Sequence, residues 1–142
     1  MKFRYLPHTA DIEFIAYGKT LGVLFRNSVL ALLSAMSDTK LVGKDKAKPK
    51  SFIISTKAMD ASNAIWYLLQ DILSKIDALG VTGFNAEITK FSNKKDQVSV
   101  ACKIFYKETK KYPRFDVKAV TPHDLAIKRE KGVYKVKITL DV

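Results

Sequence analysis

Two acids sit at opposite ends of the sequence, each in a setting that suits cation chemistry. Asp11 lies in Leu6-Pro7-His8-Thr9-Ala10-Asp11-Ile12, beside a His and a hydroxyl at the start of a β-prone run. Asp141 follows Tyr134, Val136, Ile138 and Leu140, whose alternation makes one inward strand face, so Asp141 falls on the opposite face. Val142 adds a main-chain carboxylate. If the first strands pair near the last, these three carboxylates converge and offer a hard cation several oxygen ligands, with water completing the shell. Each acid also has an ordinary reading: an Asx-type turn at Asp11 and a solvated strand end at Asp141.

Other chemistries find less support. The chain has two His, His8 and His123, one Cys, and no Gly-x-Ser-x-Gly elbow, so independent acyl transfer lacks its parts. No Cys/His cluster offers zinc a site, which leaves oxygen-liganded calcium, magnesium or manganese. Gly18-Lys19-Thr20 has the closing letters of a phosphate-binding loop, but the glycine expected five residues earlier is Glu13, which would repel phosphate. Gly18 as a turn residue and Thr20 as a helix N-cap account for the same letters. From Lys107 to Phe115, Lys110, Lys111, Tyr112 and Arg114 interleave cations with aromatics, which could grip phosphates and stack on a base. A solvated hairpin loop is the plainer reading, and both stay open.

The elements that must position these residues are legible in the apolar pattern. Phe3 to Leu6 and Ile12 to Tyr17 read as strands. Leu21, Leu24, Phe25, Leu32, Leu33 and Met36 recur at helical steps, predicting an amphipathic helix from Thr20 to about Ser37 or Asp38. Lys44 to Lys50 reads as a charged loop before a strand at Ser51 to Thr56. Asp60 should cap a second helix, with Ala64, Ile65, Leu68, Leu69, Ile72, Leu73 and Ile76 on one stripe and Gly80 just beyond. A hairpin follows, its arms running through Phe84, Ala86, Ile88 and through Val98 to Tyr106, with the turn at Asn93 to Asp96. Phe115 to Ala119, Asp124 to Arg129 and Val133 to Val142 supply three more strands, with Lys131-Gly132 as a turn. This order predicts an α+β fold, two amphipathic helices on one face of a largely antiparallel sheet, in a single domain over 1–142.

Composition agrees with a globular chain: 142 residues, 47% apolar and 27% charged, disfavour disordered and disulfide-scaffold classes. The lone Cys102 has no internal partner and reads as a buried strand residue. That fits a reducing compartment, the start lacks a signal-peptide core, and no apolar run reaches the ~20 residues that span a bilayer, so a cytoplasmic protein with no membrane partner is expected. A net charge of +11 favours polyanions or acidic partners without saying which, and a merely solvated basic surface fits it too.

His8-Thr9-Ala10-Asp11-Ile12, Tyr17-Gly18-Lys19-Thr20-Leu21, Val117-Lys118-Ala119-Val120-Thr121-Pro122-His123 and Leu140-Asp141-Val142, in this order and spacing, together resemble the archease family. Leu68-Leu69-Gln70-Asp71-Ile72-Leu73 is similar to a helical stretch of that family. The resemblance implies a non-catalytic accessory protein that activates the RtcB-type RNA ligase of tRNA splicing by promoting guanylylation of the ligase's active-site His and multiple turnover. It implies a metal site at Asp11, Asp141 and Val142, for calcium or else manganese or magnesium, with His8 and Lys118 in supporting or partner-contacting positions. Contact with tRNA would then be indirect. Departures lie at Pro7, where the family carries an acidic or small polar residue, and at Lys107 to Arg114, which replaces the family's usual signals. The competing expectation is a tRNA- or RNA-binding modulator of an RNA-modifying enzyme, acting through that basic loop. A small metal-dependent hydrolase is a third reading, weakened by the missing base and nucleophile.

Overall fold

The computed structural model describes residues 1–7, 10–108 and 110–142. Its elements are β1 (Phe3–Leu6), β2 (Ile12–Gly18), α1 (Leu21–Met36), α2 (Thr39–Lys44), β3 (Lys50–Ala58), α3 (Ala61–Leu79), β4 (Thr82–Lys94), β5 (Gln97–Lys107), β6 (Ala119–Thr121), β7 (Ile127–Glu130) and β8 (Val133–Asp141). The α+β class and the antiparallel pairing are as expected, but the strands form two sheets rather than one. A five-stranded sheet has the order β1-β2-β8-β6, with β7 also on β8, and a three-stranded sheet has the order β3-β5-β4. The two share one core with the long helices, in which Phe14, Phe25, Leu32, Leu69, Ile104 and Ile138 are fully or almost fully buried.

Each long helix begins and ends for a local reason. Thr20 Oγ1 accepts from Val23 N at the start of α1, and Asp60 Oδ1 accepts from Asn63 N at the start of α3. Gly80 closes α3 in the left-handed region (φ 65°), a conformation that costs glycine little. α1 ties the two sheets together: Asn27 donates to the Tyr17 carbonyl of β2 at 2.7 Å, and Arg26 Nε donates to the Ala86 carbonyl of β4 at 2.8 Å.

Gly18 is the last residue of β2 rather than a turn residue, and it is glycine because of a close approach. A Cβ there would run into the Leu24 amide nitrogen in the first turn of α1.

Three further boundaries differ from the sequence pattern. The charged segment at Lys44 is preceded by α2, nucleated by Asp38, whose carboxylate accepts from Leu41 N. The strand expected at Phe115 to Ala119 is confined to Ala119–Thr121, because the amides of Arg114 and Phe115 bond the Met36 and Ala35 carbonyls at the end of α1 instead of a strand. The strand expected from Asp124 begins only at Ile127, since Asp124 turns the chain with φ 56° and Leu125 N bonds Pro122 O. The β7–β8 connection at Lys131-Gly132 has positive φ at both residues, the geometry that matches the twist of a tight hairpin.

Candidate functional site

The pairing of the first and last strands decides whether the acids at the two ends of the sequence can cooperate. β2 and β8 run antiparallel from Ile12↔Leu140 to Gly18↔Tyr134. Asp11 immediately precedes Ile12 and Asp141 immediately follows Leu140, so the register carries both to one end of this strand pair. On β8 the buried Val136, Ile138 and Leu140 face the core, and Asp141 is exposed on the other side. Asp11 is half-buried and borders a cavity of about 530 Å³ together with Val142, Tyr5, Ser34, Arg114 and Phe115. Glu13, on β2 two residues beyond Asp11, lies 3.6 Å from the Lys137 ammonium.

β6 holds the other side of this end. Ala119 pairs with Asp141, and Lys118 N donates to the Asp141 carbonyl at 2.7 Å. The Lys118 side chain is exposed beside that contact. His8, the other residue given a supporting part, lies outside the described residues. The helix α3 fixes β6 from below through two side chains that the sequence did not single out for this purpose. Trp66 Nε1 donates to the Val120 carbonyl at 2.6 Å, and Gln70 Oε1, one helical turn on, accepts from Val120 N at 2.9 Å. The only sequence signal was their spacing on a helix whose apolar stripe lies alongside.

Tyr5 bridges from β1 to α1, donating from its hydroxyl to the Ala31 carbonyl at 2.7 Å. Burial pushes its phenol up to about 12, so it stays a neutral donor throughout the physiological range.

Chemically, Asp11 and Asp141 at this end of the sheet present carboxylate oxygens, a donor type suited to hard cations. Among the described residues no three or more His, Cys, Asp or Glu side chains gather at one point, so a cation held here would take two side-chain carboxylates at most and draw its other ligands from main chain, water or a partner.

The basic segment takes a different course from a free loop. Arg114 Nη1 donates to the Ser34 carbonyl at 3.2 Å and Nη2 to Asp38 Oδ2 at 3.3 Å. Lys111 pairs with Asp45 at 3.2 Å, and its amide donates to Thr82 Oγ1. Lys107 is buried, and its ammonium donates to the Asp45 and Ala47 carbonyls at 3.1 and 2.6 Å. Tyr112, with φ 48°, gives its carbonyl to Asp38 N. Lys110 is exposed, as is the ring of Phe115. The segment therefore straps the C-terminal end of α1, where unpaired carbonyls and the helix dipole attract cations. The Asp38 carboxyl is held below the usual carboxylate range by the Leu41 amide and by Arg114, and the Asp45 carboxyl by the Ala47 amide and Lys111. Burial moves Asp77, at the end of α3, the opposite way.

Cys102 is fully buried in β5, and burial pushes its thiol up to about 12, as expected of a core residue. No helix among the described residues is long and apolar enough to cross a membrane.

The chain resembles known proteins over its whole length. The archease of Methanothermobacter thermautotrophicus is 30% identical over 142 residues, covering 99% of this chain and 98% of that protein. The archease of Methanosarcina mazei is 25% identical over 146 residues, covering 99% and 96%. A solution structure of a Methanobacterium thermoautotrophicum protein superposes with a TM-score of 0.80 at 29% identity, covering 99% of both chains. A Thermotoga maritima archease shares the fold at 19% identity, with a TM-score of 0.58 over 96% of this chain and 94% of its own. The family model described as the Archease protein family matches residues 3–142, and the chain belongs to that family.

Proposed function

We propose that this protein is a non-catalytic activator of an RtcB-type tRNA-splicing RNA ligase, promoting guanylylation of the ligase's active-site His and repeated turnover. In this reading Asp11, Asp141 and Val142 hold a divalent cation, calcium or else manganese or magnesium. The observation that carries it is the β2–β8 register, which joins the two acid-bearing ends of the sequence at one edge of the molecule. The ligase as partner is what the resemblance to the archease family implies, and membership in that family supports the reading.

A cation bound there would neutralise charge on phosphate oxygens during nucleotidyl transfer. The chain's own residues prepare the place. Asp11 and Asp141 supply oxygens from adjacent strands, and Trp66 and Gln70 hold β6 against the Asp141 backbone through Val120. Lys118 offers an exposed ammonium to anionic groups beside the acids. His8 has a supporting part.

Guanylylation and ligation are to be measured at limiting ligase with increasing amounts of this protein. Multiple turnover should appear with wild type and fall toward the unassisted level with Asp11→Ala and Asp141→Ala, both checked for folding by circular dichroism. Calcium titration by calorimetry should show binding to wild type that these variants lose. Folded variants that stimulate like wild type would remove the acids from the mechanism; a wild type that stimulates nothing would remove the ligase.

A further inference from the structure

We propose that the uncovered face of the three-stranded sheet binds single-stranded RNA. Along β5 the inward residues Val98, Val100, Cys102 and Ile104 join the core, so Ser99, Ala101, Lys103 and Phe105 lie on the other face. On β3, Phe52 and Ile54 pack inward, leaving Ser55 and Lys57 outward beside Ile53, which is 58% exposed. The register aligns Ser55, Ala101 and Lys90 in one row across the sheet and Lys57, Ser99 and Ser92 in the next. These six residues line a concavity of about 500 Å³ with a lysine at each side. The helices pack into the opposite, apolar face.

Charge selects the occupant. The two sheet segments, 50–58 and 82–107, hold seven lysines (50, 57, 90, 94, 95, 103 and 107) against two acids, Glu87 and Asp96. Lys107 is turned into the molecule and Lys50 pairs with Glu108. Among the described residues no carboxylate pairs with Lys57 or Lys90, both exposed. Unneutralised lysines on a sheet attract a phosphate backbone. Phe105 supplies a ring on the same face, with the Lys103 ammonium 5.3 Å from its centroid, the pairing of cation and aromatic on which unstacked bases settle. The large apolar side chains placed on this face are Ile53, exposed, and Phe105, half-buried, too little to carry a stable protein interface. A duplex hides the base faces that a flat sheet can support, which favours a single strand. The hydroxyls of Ser55, Ser92 and Ser99 between the lysines suit the 2′-hydroxyl, which favours RNA over DNA. None of this depends on the acidic end or on the ligase.

The test is fluorescence anisotropy of a labelled oligouridylate of about ten nucleotides, within the length that one such sheet can track, titrated with the full chain at several salt concentrations. Wild type should bind with an affinity that falls as salt rises. Lys57→Glu with Lys90→Glu should weaken binding by about tenfold or more and flatten the logarithmic salt slope by about 0.7 for each phosphate that is no longer neutralised. Phe105→Leu should weaken it on the order of tenfold. Lys110→Glu, on the α1 strap, should bind like wild type. Circular dichroism confirms folding, and the Lys57→Gln and Lys90→Gln pair replaces the Glu pair if the latter misfolds. The proposal fails if wild type does not bind the oligouridylate, if DNA or duplex RNA of equal length binds as tightly, or if the sheet variants bind like wild type.

Discussion

The strap from Lys107 to Val117 and the outer face of the three-stranded sheet are both rich in lysine, yet they use it in opposite ways. In the strap Lys107, Lys111 and Arg114 are all turned inward or sideways onto carbonyls and carboxylates of the α1–α2 region. On the sheet Lys57 and Lys90 stand on outward positions with nothing of opposite charge against them among the described residues. The denser run of charge in the sequence is thus the less available one. What decides is the local supply of acceptors. A helix C-terminus with bare carbonyls, flanked by the Asp38 and Asp45 carboxylates, draws cations inward, whereas the described residues set no carboxylate against Lys57 or Lys90.

That contrast can be broken by mutation. The largest effect is expected at Lys107→Ala, which leaves the Asp45 and Ala47 carbonyls without their buried donor; a loss of about 2–3 kcal/mol in urea unfolding would match hydrogen bonds to a charged group. Arg114→Ala should cost about 1 kcal/mol, less because its ion pair with Asp38 is partly exposed, with the loss again read from the urea midpoint. A shift of pH should separate the regions further. The Asp38 and Asp45 carboxyls are depressed in the fold, so the stability they lend is full above about pH 4 and is lost as pH falls through their lowered values. Unfolding followed between pH 7 and pH 3 should show this acid loss in wild type and a smaller one in an Asp38→Asn, Asp45→Asn variant. The smallest effect is expected on the sheet, where Lys57→Ala and Lys90→Ala should each stay within about 0.5 kcal/mol of wild type by the same unfolding measurement. Equal destabilisation from strap and sheet lysines would erase the distinction.

Much of the fold could be read from local pattern because its signals are local. Thr20, Asp60 and Gly80 mark helix ends through bonds made within one turn, and the Lys131-Gly132 hairpin is set by its own two residues. The strap was not readable, since Phe115 looks like a strand residue until its amide finds Ala35, 80 positions earlier. The division into two sheets likewise rests on which strands meet, not on any one strand's alternation. At the acidic end, strand-face alternation correctly put Asp141 opposite the apolar row, but its approach to Asp11 was conditional on the pairing of β2 with β8. The parts played by Trp66 and Gln70 depend on Val120 coming to lie across α3, which no spacing within the helix announces. Gly18 was legible as a required glycine for the wrong reason, turn conformation instead of contact with Leu24.

β8 is the last strand in the sequence but an inner one in its sheet, flanked by β2 on one side and by β6 and β7 on the other. Closing Ile12 against Leu140 brings together residues separated by nearly the whole chain, a contact whose entropy cost falls due late in folding. During synthesis the Asp11 segment emerges early and must wait, with β2 lacking its inner neighbour, until residue 140 has cleared the ribosome. The acidic end therefore comes into being only once β8 has been made and paired, and a partner that recognises it would engage chains in which this strand is in place and pass over those in which it is not.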